Sequence, residues 1–493
     1  MIRLSLAIIF WTCIAASASH AVYLARSGRF TLWPGWGTAV TATGLCVLVV
    51  GTDLFFAFVV PFSIMQDIVA AQEGLRRHAL PSMHINSLVK VALAEGPNPK
   101  RFTAFWPALA SEVDKDYNRV PKVISEEAHP PFFVLLISPA VYFLGVRGTS
   151  LAMAGLSMGS FAIMLWLLRS GLNFDVKPDR ALLITVLFLA WDPMSWVLRA
   201  GQLGALLGAL IVIAWFCIRT ERPLLAGAAV ALATSIKIFP GLLLLYFLLR
   251  HRRALLSAVV TIAALNLVAT AVWGKQAYLD WAQTMNDVTK IYWAAPDNWS
   301  LLGFLGRLQW RVPIAASIGR IAFVLVSLIV VGLLCWAVSR SRAKGSAAAQ
   351  CDLEYPLFVA AMPLLCPICW SHYFVILLLP LAVLAKRVWQ KGSGFVQTSS
   401  LFVLFVVLSA SGLIATAYNE GPRITHWLEV LPTLALIGVL SWNILLVLRN
   451  DSLWRGPFRN GLALALLFPF EGPVAPDEFP ELSRIWSSGP DNC

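Results

Sequence analysis

Charged residues are scarce in this chain. Asp, Glu, Lys and Arg make up 13% of its 493 residues and hydrophobic types 58%, whereas a soluble domain carries about a quarter of its residues charged. Also missing is the strict apolar-polar alternation of membrane barrel strands, and no internal repeat or low-complexity linker divides the sequence. The eight cysteines form no framework: most stand singly in apolar runs, where a thiol behaves as a small hydrophobe. Only Cys366 and Cys369, in "CPIC", have redox or metal spacing, and no second pair accompanies them for a zinc site.

What the chain does have is apolar runs, recurring from its first residues to about residue 449. They predict an all-α polytopic membrane protein, because a helix satisfies its own backbone hydrogen bonds in lipid. Candidate spans fall at 4–24, 38–64, 131–146, 150–168, 181–198, 203–218, 224–249, 254–273, 312–337, 354–369, 372–385, 399–416 and 427–448. Pro240 interrupts the seventh, whose parts 224–236 and 238–249 read alternatively as two half-depth helices.

The net charge of +12 resembles a nucleic-acid signal until the basic residues are located. They sit at span ends, in "RHRR" at 250–253, "SRSRAK" at 339–344, "AKR" at 385–387 and "LRND" at 448–451. Short basic flanks of this kind stay cytoplasmic, which puts the loops 66–130 and 274–311 and the turn 370–371 outside. The first loop carries amphipathic stretches such as "MQDIVAAQEGLRRHAL" and is too long for a passive connector. Residues 1–37 read as an extra transmembrane helix and a short cytoplasmic loop, left uncleaved although the segment has a signal-peptide look. Residues 38–449 form one membrane domain, and 450–493 a cytoplasmic tail.

A few polar residues stand out against this background. Lys237 lies inside "ALATSIKIFPGLLLLYFLL", where an unpartnered lysine costs roughly 2.5 to 3.5 kcal/mol at a span centre. Asp67 follows a long apolar span on the outer side, with Glu73 one to two turns further along. His129 precedes the helix-starting pair Pro130 and Pro131. His372 falls in the outer turn of "CPICWSHYFVILLLP", where an imidazole suits a phosphate oxygen or a neighbouring carboxylate. Gln202 heads "GQLGALLGALIV", whose glycines form a small-residue packing face. Asn298 and Ser300 begin the apolar run of "NWSLLGFLGRL", where each suits a helix cap.

The order of these pieces resembles the polyprenol-phosphate-mannose-dependent alpha-1,2-mannosyltransferase family of bacterial integral-membrane glycosyltransferases, which have the GT-C fold. The resemblance covers roughly residues 38 to 448 and rests on "MQDIVAAQEG", "HPPFFVLLISP", "GQLGALLGALIV", "AGAAVALATSIKIFPGLLLLYFLLRHRR", "NWSLLGFLGRL" and "CPICWSHYFVILLLP". Family members usually carry an aromatic residue shortly after the first-loop Asp, where this chain has "IVAAQ", and often a Ser where Cys366 stands.

The resemblance implies a GT-C membrane domain with roughly 12 to 14 helices and a long first external loop. It implies inverting transfer of a sugar, mannose first among candidates, from a polyprenyl-phosphate donor to a glycolipid or glycan on the outer face of the inner membrane. Asp67 takes the part of catalytic base. Lys237, His372, His129, Gln202, Glu73 and Asn298 are the substrate-binding candidates, with Lys237 and His372 foremost as a clamp on the lipid phosphate. The donor is already activated, so no cofactor and no metal are implied, and no nucleic acid. A secondary transporter or a flippase-type protein binding lipid-linked sugars is the alternative, although no half of the chain mirrors the other.

Overall fold

A computed structural model describes residues 44, 46–54, 71, 75, 129–174, 188–189, 191–295, 297–309, 316–341, 346–390, 395–412, 414, 428 and 430–449. Asp67, Glu73, residues 1–43 and the tail from 450 lie outside the described residues. Among the described residues there is no strand. Among the described residues, five helices are long and apolar enough to cross a membrane, or six if one bent pair counts as a span. The chain is an all-α polytopic membrane protein.

Helix α1 (Pro131–Gly171) starts with proline at its first position, where the missing N–H has no intrahelical acceptor to lose. It is broken at Gly145, whose φ of 64° suits a residue without Cβ, into pieces 131–145 and 148–171. Helix α2 (Asp192–Ala200) ends on Gly201, left-handed at φ 64°, whose N–H closes onto Val197. Helix α3 (Gly204–Arg219) leaves at 117° to it. Helix α4 (Pro223–Ile236) stops at Lys237, extended at φ −152° and ψ 134°. A 3-10 turn, Phe239–Gly241, and helix α5 (Leu242–Arg250) complete the run. Pro240 has no N–H for the ladder, so the interruption expected there is present, with the break centred on Lys237.

Helices α6 (Arg252–Trp273) and α7 (Lys275–Tyr292) meet at Gly274, φ 80°. Helix α7 and the short α8 (Leu301–Gln309) fill much of the stretch read from sequence as a loop. The reason is periodicity: Ala277, Thr284, Val288 and Tyr292 are all buried, a stripe at helical spacing on an otherwise polar segment. Then follow α9 (Ala316–Arg340), α10 (Ala347–Leu365), a 3-10 stretch Ser371–Leu377, α11 (Leu378–Gln390), α12 (Phe395–Ser409) and α13 (Val430–Arg449). Helix α10 begins seven residues before the expected span at 354, capped by the Ser346 side chain. The two carboxylates that make this turn look polar are paired in space: Asp352 with Arg219, and Glu354 with Arg250.

The best-buried core lies between α3, α10 and the 3-10 stretch 371–377, where Trp215, Tyr355, Phe358 and Phe374 are fully enclosed. Helices α6 and α9 instead expose residues such as Leu256 and Leu328 along most of their length, as lipid-facing spans do.

Candidate functional site

Three breaks in helical structure bring the polar residues together. Lys237 sits where α4 stops; its N–H still bonds Ala233 at 2.9 Å. Its ammonium lies 3.4 Å from Nε2 of His129 and 4.9 Å from the centre of the Tyr373 ring. His129 is buried just before α1, its ring 4.8 Å from Phe133. His372 is buried in the 3-10 stretch, edge-on to Tyr373 at 4.3 Å between ring centres. Tyr373 also packs against Phe239 at 5.1 Å. One aromatic ring therefore joins the lysine to the second histidine.

The protonation of the pair follows from its chemistry. An ammonium has donors only, so a Lys237 to His129 hydrogen bond needs a lone pair on Nε2, and hence a neutral imidazole protonated on Nδ1. The ring face of Tyr373 adds a cation–π attraction worth about 2 kcal/mol when desolvated. Lys237 and His129 also act electrostatically on His372. Nε2 of His372 is buried and makes no hydrogen bond among the described residues. A buried unsatisfied group of this kind costs about 1 to 3 kcal/mol.

Gln202 occupies the bend between α2 and α3, its N–H bonded to Val197 at 2.9 Å. Two residues on, Gly204 lies directly against His372: a Cβ there would stand 2.2 Å from the His372 carbonyl oxygen. The bend carrying Gln202 and the segment carrying His372 are thus in backbone contact. Asn298 is placed differently. Its Nδ2 donates to Tyr292 at 3.1 Å and Pro367 at 3.0 Å, and its Oδ1 accepts from Ser300 at 3.2 Å and Cys369 at 2.9 Å. Both ends of the amide bond protein backbone, so it shapes the 366–370 turn beside the cluster. Ser300 accepts from Gly303 at 2.9 Å and caps α8. Asp67 and Glu73 are not among the described residues.

Sequence reasoning passed over Tyr373, whose only signal is adjacency to His372 in "SHYF", and Asp297, which precedes Asn298. Burial pushes the Asp297 carboxyl up to about 6, against the opposing charge of Arg307. No group of three His, Cys, Asp or Glu suited to a metal ion occurs among the described residues.

Residues 128–367 match glycosyltransferase family 87. A curated relative from Mycobacterium tuberculosis, named polyprenol-phosphate-mannose-dependent alpha-(1-2)-phosphatidylinositol mannoside mannosyltransferase, is 27% identical over 303 residues, 58% of this chain and 66% of the relative. A protein of the same name from Mycolicibacterium smegmatis is 27% identical over 234 residues, 46% of this chain and 50% of the relative. The chain thus spans just under two thirds of one relative and half of the other. No solved structure matches. The matched stretch holds His129, Gln202, Lys237 and Asn298 and stops five positions short of His372.

Proposed function

We propose that this chain is a membrane glycosyltransferase that moves a sugar, mannose in the first instance, from a polyprenyl-phosphate sugar to a glycolipid or glycan acceptor on the outer face of the membrane. The observation that carries the reading is the ammonium of Lys237, held at a helix break by His129 and Tyr373 next to the unsatisfied Nε2 of His372. The names of the two relatives supply the donor class.

In this reading the acceptor hydroxyl attacks the anomeric carbon from the side opposite the lipid phosphate, and configuration inverts. The Asp67 carboxylate takes the hydroxyl proton as the new glycosidic bond forms. The bond from the anomeric carbon to the phosphate oxygen breaks, and negative charge grows on the departing polyprenyl phosphate. Lys237 and His372 stabilise that charge from fixed positions, with Gln202 beside them and Glu73 as a further substrate-binding residue. The Ile238 side chain, exposed next to Lys237, leaves apolar surface at the break for the isoprenoid.

The test is transfer by detergent-purified protein from polyprenyl-phosphate mannose to a mannosylated phosphatidylinositol, with Asp67→Asn as comparison. Turnover in the parent and a loss of about 10²- to 10⁴-fold in well-folded Asp67→Asn support the reading. Uptake of the lipid-linked sugar into proteoliposomes without transfer would replace the enzyme by a carrier.

A further inference from the structure

The segments that present His129 and Lys237 are linked behind the site by hydrogen bonds that join α4, α6 and α7, and by the packing of α7 against the start of α1. Ser235, buried two residues before Lys237, accepts from Nδ2 of Asn266 on α6 at 3.2 Å. The same nitrogen donates to Ile262 at 2.8 Å, which fixes the amide's orientation. Oδ1 of Asn266 accepts from the Tyr278 hydroxyl on α7 at 2.6 Å. Tyr278 in turn packs against the buried cluster that holds Phe132 and Phe133, three and four residues after His129. Burial pushes the Tyr278 phenol up to about 12, and it remains an O–H donor at neutral pH.

We propose that Tyr278, Asn266 and Ser235 form a tie that sets the separation of His129 and Lys237, and so act as positioning residues for binding the phosphate of the lipid-linked donor. The inference rests on the reading of Lys237 as a phosphate ligand. Helices α4 and α6 are already in close contact elsewhere: a Cβ on Gly227 would stand 2.2 Å from the Ala254 carbonyl oxygen. Interhelical hydrogen bonds in lipid contribute modestly to stability, so the fold does not depend on this tie. The 3.4 Å contact at the end of it is more demanding, because displacement by about 1 Å at a binding group is enough to cost orders of magnitude in rate.

The experiment compares Tyr278→Phe with the parent in KM for polyprenyl-phosphate mannose, kcat and thermal unfolding, alone and combined with Lys237→Met. Removing the hydroxyl raises the donor KM by roughly 3- to 10-fold with little change in unfolding temperature. In the Lys237→Met background the same substitution adds nothing, since the group being positioned is gone. An unchanged KM, or an equal effect with and without Lys237, overturns the tie. If Lys237→Met alone leaves donor KM unchanged, the phosphate reading fails first; if it raises KM while Tyr278→Phe does not, only the tie fails. Should Tyr278→Phe not fold, Ser235→Ala cuts the other end and is held to the same KM criterion.

Discussion

Lys237 and His129 are 108 positions apart in the chain and 3.4 Å apart in space. The contact joins the end of α4 to the start of α1 and sets one ammonium against one neutral imidazole. The ring of Tyr373 lies 4.9 Å from the same ammonium and meets the imidazole of His372 edge-on.

Replacing Lys237 tests whether that charge serves a phosphate. Charge-assisted hydrogen bonds contribute about 1.5 to 3 kcal/mol, so Lys237→Met raises the donor KM or lowers kcat/KM by roughly 10- to 100-fold. Lys237→Arg retains part of the affinity, because a guanidinium also binds phosphate but from a longer, planar fork. Steady-state kinetics with polyprenyl-phosphate mannose decide it. Parent-like kinetics in the Met variant reduce Lys237 to a lysine stabilised by its neighbours.

Gly204 and Gly208 look equivalent in sequence and differ in what a methyl group would meet. At Gly204 the obstacle is backbone, the His372 carbonyl at 2.2 Å; at Gly208 it is the flexible end of Met164 at 3.0 Å. Gly204→Ala therefore costs about 1 to 3 kcal/mol of stability and displaces His372, whereas Gly208→Ala is tolerated far better. Unfolding temperatures and donor KM of the two variants should separate clearly. Equal tolerance would mean that the close approach of α3 to His372 is not maintained in solution.

The helix ends and the α4 break are legible because their causes are local: Pro130 and Pro131 open α1, and Pro240 removes a donor. Helix α7 was not, since its buried stripe is built from Ala277, Thr284 and Val288, residues too small or too polar to stand out. The start of α10 was hidden for another reason. Asp352 and Glu354 are charged in sequence, and the partners that pair them, Arg219 and Arg250, lie far away in the chain. The same limit holds for the site. Residue type singles out His129, Lys237 and His372 one by one, but the distance between them is a property of how α1, α4 and the 371–377 stretch pack.

Asp297 gives the protein a pH dependence of defined sign. Burial raises its carboxyl from the ordinary 3.8 to about 6, with the charge of Arg307 opposing. The folded state holds this proton more tightly than the unfolded chain, so the contribution is fully present below 3.8 and is lost as pH rises through about 6. The unfolding temperature in detergent accordingly falls between pH 4 and pH 6.5, and Asp297→Asn flattens that part of the profile. A parent and variant with parallel profiles would remove Asp297 as the source.

At the opposite end of the helices, the basic flank "RHRR" contributes more than orientation. Arg250 grips Glu354 with two parallel hydrogen bonds, Nε to Oε2 at 2.9 Å and Nη2 to Oε1 at 2.7 Å, and also donates to the Val338 and Ser341 carbonyls at the end of α9. Glu354 is completely buried and takes a further bond from Gln350 at 2.9 Å. One guanidinium thus fastens α5, α9 and α10 together. Removing the partly exposed arginine strands a fully buried carboxylate, and breaking a pair in this way costs about 3 to 5 kcal/mol. Arg250→Met should therefore unfold far more readily than the parent in a detergent melting assay, while Arg250→Met combined with Glu354→Leu, which leaves neither charge alone, recovers much of the loss. A double variant as unstable as the single one would assign the stability to the carbonyl contacts of Arg250 and not to its ion pair.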